Sequence, residues 1–204
     1  EKSPRPIGED FMKDGIMVIN KPLGMTSHDA VRFIRRKFKI HRVGHAGTLD
    51  PLATGVLVIL LEKSTKLFNE FVDFDKAYQA TLLLGLATST ADIQGKVIQK
   101  LSCEAVTSDQ IQEAFRQFTG EIQQIPPMVS AIKFKGERLY KLARRGLHIE
   151  RQPRSVRIDS LKLIEFSSPH VKFFLECSKG TYVRQLAEDV GRLLGCGGCI
   201  FQIE

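Results

Sequence analysis

The apolar and polar positions change period several times along the chain, and each change predicts an element. Gly15 to Asn20 is a short apolar run, read as a buried strand that ends in a turn at Lys21-Pro22-Leu23-Gly24. Thr26 or Ser27 can then cap a helix in which Val31, Ile34 and Phe38 recur at helical spacing. Its other face carries Arg32, Arg35, Arg36 and Lys39. Gly55 to Leu61 is the longest apolar stretch, and Val56 to Leu61 suits a buried strand. Ala77 to Leu84 alternates in part and predicts a third strand, followed by a polar stretch from Thr88 to Gly95. Ser108 to Phe118 reads as a capped amphipathic helix with Ile111, Ala114, Phe115 and Phe118 on one face. Pro126-Pro127 breaks the chain. Lys133 to Gly146 is basic with Leu139, Tyr140 and Leu142 interleaved, and reads as a helical or loop excursion. Val156 to Phe166 and Val171 to Ser178 predict paired strands around Ser167-Ser168-Pro169, and Tyr182 to Leu194 a final helix.

Strands and helices mix without a regular βαβ alternation, so the expected class is α+β with a mixed sheet. The chain shows no internal repeat, no low-complexity segment and no obvious two-domain boundary. Residues 1–14 are polar, contain Pro4 and Pro6, and read as a flexible lead-in to a domain spanning 15–204. The chain does not begin with Met, which suggests a trimmed start. At 43% hydrophobic and 26% charged residues the composition is that of a soluble globular protein. No apolar run of about eighteen residues exists, so no membrane span is expected. The N-terminus also lacks the layout of a signal peptide. A cytoplasmic location follows as the expectation.

The net charge of +7 favours a polyanionic partner. Its distribution narrows that reading. Residues 126–157 hold nine basic and two acidic side chains, so this segment alone accounts for the whole excess. Residues 28–42 add six basic residues against Asp29. Two separated basic segments with aromatics among them suit a nucleic-acid backbone. An amphipathic membrane-surface helix would need a larger apolar face than Val31, Ile34 and Phe38 offer. Four cysteines are present. Cys196-Gly-Gly-Cys199 has the spacing of half a zinc site or a redox pair, but no second Cys or His pair completes a zinc site, so reduced thiols near a glycine turn and no metal are expected.

The stretch Gly44 to Gly55 holds three glycines and Pro51 between a basic helix and an apolar strand, which requires a tight, specially shaped loop. Loops held by a rigid scaffold are where catalytic groups concentrate. Taken alone, an Asp before Pro is most often structural. The segment lacks the Gly-x-x-x-x-Gly-Lys-Ser/Thr pattern of a P-loop and does not match Gly-x-Gly-x-x-Gly.

The company of Asp50 changes its reading. Gly44-His45-Ala46-Gly47-Thr48-Leu49-Asp50-Pro51-Leu52-Ala53-Thr54-Gly55 resembles the signature of the TruB-type tRNA pseudouridine synthases. Asn20 to Ser27 looks like that family's first motif, and Lys76-Ala77-Tyr78 resembles its Lys-x-Tyr element. Pro126 to Lys133, continuing to Gly136 and Tyr140, is similar to its RNA-gripping insertion. Cys177 to Arg184 looks like its last catalytic motif. The five matches occur in family order and cover about 16 to 198.

The resemblance implies a pseudouridine synthase fold, a mainly antiparallel central sheet flanked by helices with an inserted basic segment at about 126–150. It implies conversion of a uridine in the T-arm loop of tRNA to pseudouridine, by a monomer, with no cofactor and no metal. Asp50 is then the nucleophile, and a carboxylate in that role must stay ionised. Arg184 is its implied partner, since a nearby cation lowers a carboxylate pKa; without the motif it reads as a helix-surface arginine. Tyr78 would stack on the base, and Tyr182 and Ile203 would line the uridine pocket. His45 would pack into the RNA loop. Lys133 and Arg144 would hold the T-arm. Lys21 and Pro22 would buttress the Asp50 loop, although Lys21 also admits reading as a catalytic lysine.

Past Gly198 the match weakens, with Glu204 where the family has an arginine. Nothing there encodes the PUA-type RNA-binding domain that many bacterial members carry, so a truncated chain or a short member is expected. Two other classes fit parts of the sequence. A non-catalytic RNA-binding or RNA-folding protein would use the same basic patches. An aspartyl-phosphate phosphotransferase would need Mg²⁺ and further carboxylates, and no convincing cluster supplies them.

Overall fold

The computed structural model describes residues 14–147 and 149–204. Of the lead-in expected over 1–14, all but Asp14 lies outside the described residues. The chain divides into two compact units, one running to Phe74 and including Glu204, the other spanning Asp75–Ile203. No shift in composition marks this division in the sequence.

In the first unit, β1 (Gly15–Lys21) is followed by α1 (Ser27–Lys37), β2 (Val43–Ala46) and β3 (Gly55–Leu61), then a 3₁₀ segment and the short α2 (Phe68–Val72). The strands pair antiparallel in the order β1-β3-β2. Thr26 is the cap of α1. Its hydroxyl accepts from the Asp29 amide at 3.0 Å, and the Asp29 carboxylate accepts from the Thr26 amide at 3.1 Å. That reciprocal box satisfies two donors that a helix start leaves open. Ala30, Val31 and Ile34 of α1 bury against Leu57, Ile59 and Leu61 of β3, with Met17 and Ile19 of β1 packed alongside.

Three expectations change here. Phe38 caps the end of α1 and is 43% exposed, because the helix closes at Lys37 and Phe38, with φ of −103° and ψ of 4°, no longer continues the Val31–Ile34 stripe. The run from Gly15 is a half-buried edge strand, with Ile16 and Val18 exposed on the face away from α1. Val56 opposes Asn20 on that same open face and is also exposed. An edge strand covered on one side alternates, and a purely apolar sequence conceals that.

In the second unit a five-stranded sheet runs in the order β12-β4-β11-β10-β7. Its strands are β4 (Lys76–Leu84), β7 (Gly120–Gln124), β10 (Arg154–Ser167), β11 (His170–Cys177) and β12 (Gly198–Ile203), all paired antiparallel. Between β4 and β7 come the hairpin β5 (Leu86–Thr88) and β6 (Val97–Lys100), then α3 (Ser108–Gln117), capped by the Thr107–Gln110 box. The one parallel bridge outside the named strands joins Asp92 to Ile200 among the described residues. Phe115 of α3 meets Phe173 of β11 edge to face, centroids 5.7 Å apart.

The excursion before β10 is a two-residue hairpin, β8 (Lys133–Phe134) with β9 (Glu137–Arg138), continued by α4 (Leu139–Arg144). α5 (Val183–Leu193) matches the expected last helix, but β12 follows it and was not read from the sequence. β12 has only six residues and begins at the second of two glycine-cysteine steps, where no periodicity can establish itself.

Helix α5 packs on β12 through glycine. A Cβ on Gly191 would lie 2.3 Å from the Gly198 amide nitrogen, so no side chain fits there. Gly191→Ala is therefore expected to lower stability by about 1–3 kcal/mol, the usual cost of overpacking a close contact. Thermal unfolding of variant and parent, scored as the shift in Tm, checks this; an unchanged Tm would contradict the packing described.

Candidate active site

Asp50 sits in the loop joining β2 to β3, and every turn of that loop is tied to neighbouring elements of its own unit. Gly47 and Gly55 hold φ of +96° and +97°, backbone shapes that L side chains rarely adopt. Leu49 packs into the core under α1. Its amide donates to the Ser27 hydroxyl at 2.9 Å, and that hydroxyl donates to the Leu49 carbonyl at 3.1 Å. Ser27, a possible cap from sequence, is thus a buried loop anchor at the first residue of α1. The Gly24 amide donates to the Pro51 carbonyl at 2.8 Å, and the Gly55 amide to the Asn20 side-chain oxygen at 3.1 Å. The segment 20–27 therefore cradles 49–55 through four hydrogen bonds, and Asp50 is held half-buried between fixed neighbours.

Lys21 is fully buried beneath the turn that follows it. Its Nζ donates to the Pro22 carbonyl at 3.0 Å and to the Met25 carbonyl at 2.7 Å. Burial pushes the ammonium below the ordinary lysine value, while the Asp50 carboxylate acts in the opposite sense. Two of the three ammonium hydrogens thus go to carbonyls of its own turn. Pro22 is exposed in that turn. His45 on β2 is half-buried, with Nδ1 2.6 Å from the Gly47 carbonyl. A carbonyl only accepts, so Nδ1 carries a proton there and the ring is oriented by the loop.

In the second unit Tyr78 lies on β4 opposite Leu175 of β11. Ile203 of β12 is buried and pairs with Ala80, two residues along β4 on the same face as Tyr78. Strand alternation thus places Tyr78, Ala80 and Ile203 on one side of the sheet. Tyr182 is the residue before α5. Its amide donates to the Gln124 side chain at 2.8 Å, and the Gln124 amide group donates back to the Tyr182 carbonyl at 3.1 Å.

Arg184 is 5% exposed, so it is no helix-surface arginine. Its guanidinium donates to the Thr90 and Val129 carbonyls, each at 2.9 Å, and its Nε lies 4.0 Å from the buried Asp92 carboxylate. Asp92 is itself held by the Thr90 hydroxyl at 2.6 Å and the Gln94 amide at 3.0 Å. Gln124, Thr90 and Asp92 were not singled out from sequence. The stretch from Thr88 reads as a polar loop because nothing in it repeats. The single trace is an acidic residue that the fold buries.

Lys133 and Arg144 are exposed on β8 and α4, with the Arg144 guanidinium over the Tyr140 ring at 5.5 Å. The segment carrying them leaves β7 and returns at β10, where Arg154 pairs with Gln124. Arg151 donates to the Pro126 carbonyl at 3.1 Å and closes its base. Cys177, Cys196 and Cys199 are buried free thiols, and burial pushes Cys177 and Cys199 up to about 11, so both are neutral at physiological pH. Among the described residues no three His, Cys, Asp or Glu side chains gather as metal ligands. No helix of the described residues is long and apolar enough to cross a membrane.

The family model for the N-terminal domain of TruB family pseudouridylate synthases matches residues 35–183. The chain belongs to the TruB family. The tRNA pseudouridine synthase B of Alkaliphilus oremlandii is 50% identical over 187 residues, which cover 91% of this chain and 62% of that protein. The protein of the same description from Endomicrobium trichonymphae is 43% identical across 92% of this chain and 81% of its own length. Among solved structures, a Cbf5-Nop10-Gar1 complex matches with a TM-score of 0.73 at 28% identity, over 94% of this chain and 47% of that one. An H/ACA RNP bound to a substrate RNA containing 2′-deoxyuridine matches at 0.68 and 26%, over 98% and 48%. The TruB-family chain described here thus has the α+β architecture of pseudouridine synthases, and it spans about half of each matched structural chain.

The buried Lys21 of this TruB-family loop sets a pH dependence. A folded pKa below the unfolded one means that the unfolded chain binds the extra proton, so stability rises with pH through that window, up to the ordinary 10.5. Relative to Lys21→Met, the parent is expected to gain stability between about pH 7 and about pH 10. Urea unfolding of both proteins at the two pH values measures it; parallel profiles would refute it.

Proposed function

We propose that this TruB-family chain converts a uridine in the T-arm loop of tRNA to pseudouridine, with Asp50 as nucleophile. The observation that carries the proposal is the cradle of Asp50. The segments 20–27 and 49–55 lock together by hydrogen bonds, with Lys21 buried beneath them, and a carboxylate at the centre of a loop so braced supports Asp50 as the reacting group. Membership of the family supports the reaction class.

In the proposed reaction the Asp50 carboxylate attacks the target nucleotide and the bond from uracil N1 to the ribose breaks. The uracil turns, C5 joins the same ribose carbon, and the bond between Asp50 and the nucleotide breaks, which frees the carboxylate. The proton on C5 leaves and N1 ends protonated, so the net change is isomerisation and needs no cofactor or metal. Tyr78 offers a flat face and a hydroxyl for a base taken out of its stack. Tyr182, with its backbone clamped by Gln124, and Ile203 line the uridine pocket. Arg184, held by Thr90, Val129 and Asp92, supplies the fixed cation that keeps a carboxylate ionised. His45, oriented by Gly47, packs into the loop the base has left. Lys133 and Arg144 of the 126–150 insertion contact T-arm phosphates, which set register and affinity. The protein works as a monomer in the cytoplasm.

An unmodified tRNA transcript incubated with the chain should acquire pseudouridine in the T-arm, and Asp50→Asn should make none. Equal product from that variant would end the nucleophile assignment. Arg184→Ala should lower turnover more than RNA binding. Lys133→Ala should weaken binding and reduce the slope of log K against log salt by about 1, and a reversed pattern would mean the two roles are exchanged.

A further inference from the structure

We infer that the solvent face of α1 is a second RNA-binding surface, one that holds a segment of the substrate outside the T-arm. The inference rests on the tRNA reading above and extends it. Segments 126–157 and 28–42 carry +7 and +5, while the rest of the chain sums to −5. The second excess therefore stands out against an acidic remainder. It belongs to the first unit, whereas the insertion belongs to the second.

On α1 the buried stripe is Ser27, Ala30, Val31 and Ile34, which leaves Arg32, Phe33, Arg36 and Lys37 facing solvent. These four are neighbours at three and four residues' spacing, so they form one patch. Arg32 is paired with Asp29, the only acid in the segment. Arg36, Lys37 and the following Lys39 are exposed, and Lys39 holds φ of +52°. Cations in the last turn of a helix complement its dipole, which accounts for part of the arrangement. It does not account for Phe33, a large ring 55% exposed at the centre of the cations, with the Lys37 ammonium 5.4 Å from its centroid. Nor does it favour Arg32 and Arg36 four residues apart, since like charges at that spacing destabilise a helix.

An exposed aromatic ring ringed by Arg and Lys matches RNA, whose phosphates meet the cations and whose unpaired bases or riboses meet the ring. An anionic membrane would want a broad apolar face, and α1 has spent its apolar stripe on the core. A folded tRNA offers phosphates on several arms. With the T-arm assigned to the insertion, the α1 patch is left for another arm.

The test compares two RNAs, an unmodified full-length tRNA transcript and its isolated T-arm stem-loop, with the full chain. Arg36→Glu/Lys37→Glu should weaken tRNA binding about tenfold or more and reduce its log–log salt slope by about 2, one per lost phosphate contact. Affinity for the stem-loop should stay within about twofold of the parent. Phe33→Ala should weaken tRNA binding without changing the salt slope, because a ring releases no counterions. Arg36→Gln/Lys37→Gln removes the charge with less harm to the helix and should give the same pattern at smaller amplitude; unfolding curves confirm that each variant is folded. Equal loss for both RNAs would place the patch on the T-arm and overturn the inference, as would no loss for either. If the parent forms no pseudouridine in either RNA, the functional reading fails first; if the parent is active and the α1 variants bind tRNA like the parent, only this inference fails.

Discussion

Everything proposed for this chain depends on holding one acidic residue in a loop that would otherwise have no reason to keep its shape. A segment with three glycines and a proline has a large conformational entropy to lose, and its backbone polar groups need partners. Here the partners come from the end of β1 and from the turn and helix start that follow it. Ser27 meets both backbone groups of Leu49, Gly24 meets Pro51, and Asn20 meets Gly55. Leu49 adds an apolar peg in the core below α1. Lys21 then fixes the bracing turn itself, at the cost of burying an ammonium. Burial of a charge is tolerated when carbonyls and a nearby carboxylate answer it.

The second unit solves a similar problem with a cation. Arg184 projects from the first turn of α5 into the protein, and its donors go to two loop carbonyls and toward Asp92. Of those loops, the Thr90–Asp92 stretch is tied to β12 only by the single bridge at Ile200. The arginine and the loops therefore order each other, and Gln124 does the same for the chain entering α5 at Tyr182. Buried polar networks of this kind are worth most when fully satisfied, and they specify one arrangement more sharply than apolar packing does.

Positive charge is divided differently from the chemistry. The insertion between β7 and β10 bears exposed Lys133 and Arg144 on a small hairpin and helix closed at its base by Arg151. The α1 surface bears its own cations on an element whose other side builds the core. Core packing and a cluster of exposed cations thus share one helix of eleven residues.

By itself the sequence determined the strong local patterns: the starts of α1 and α3, the β10–β11 pair, the Ile111, Ala114 and Phe115 stripe of α3, though not Phe118, which caps that helix, and the α+β class. Motif order also singled out the Asp50 loop, Tyr78 and Arg184, because each motif keeps its residues close together in the chain. Tertiary structure alone decided what the open and covered faces are. Ile16, Val18, Val56 and Phe38 are apolar yet exposed, since burial depends on which side of a sheet or helix receives a partner. It alone revealed β12, too short for a period of its own, and the division into two units. It also supplied Gln124, Thr90, Asp92 and the anchoring role of Ser27. Those residues act through hydrogen bonds across 22 to 94 positions of chain, and no local pattern can encode a partner that distant.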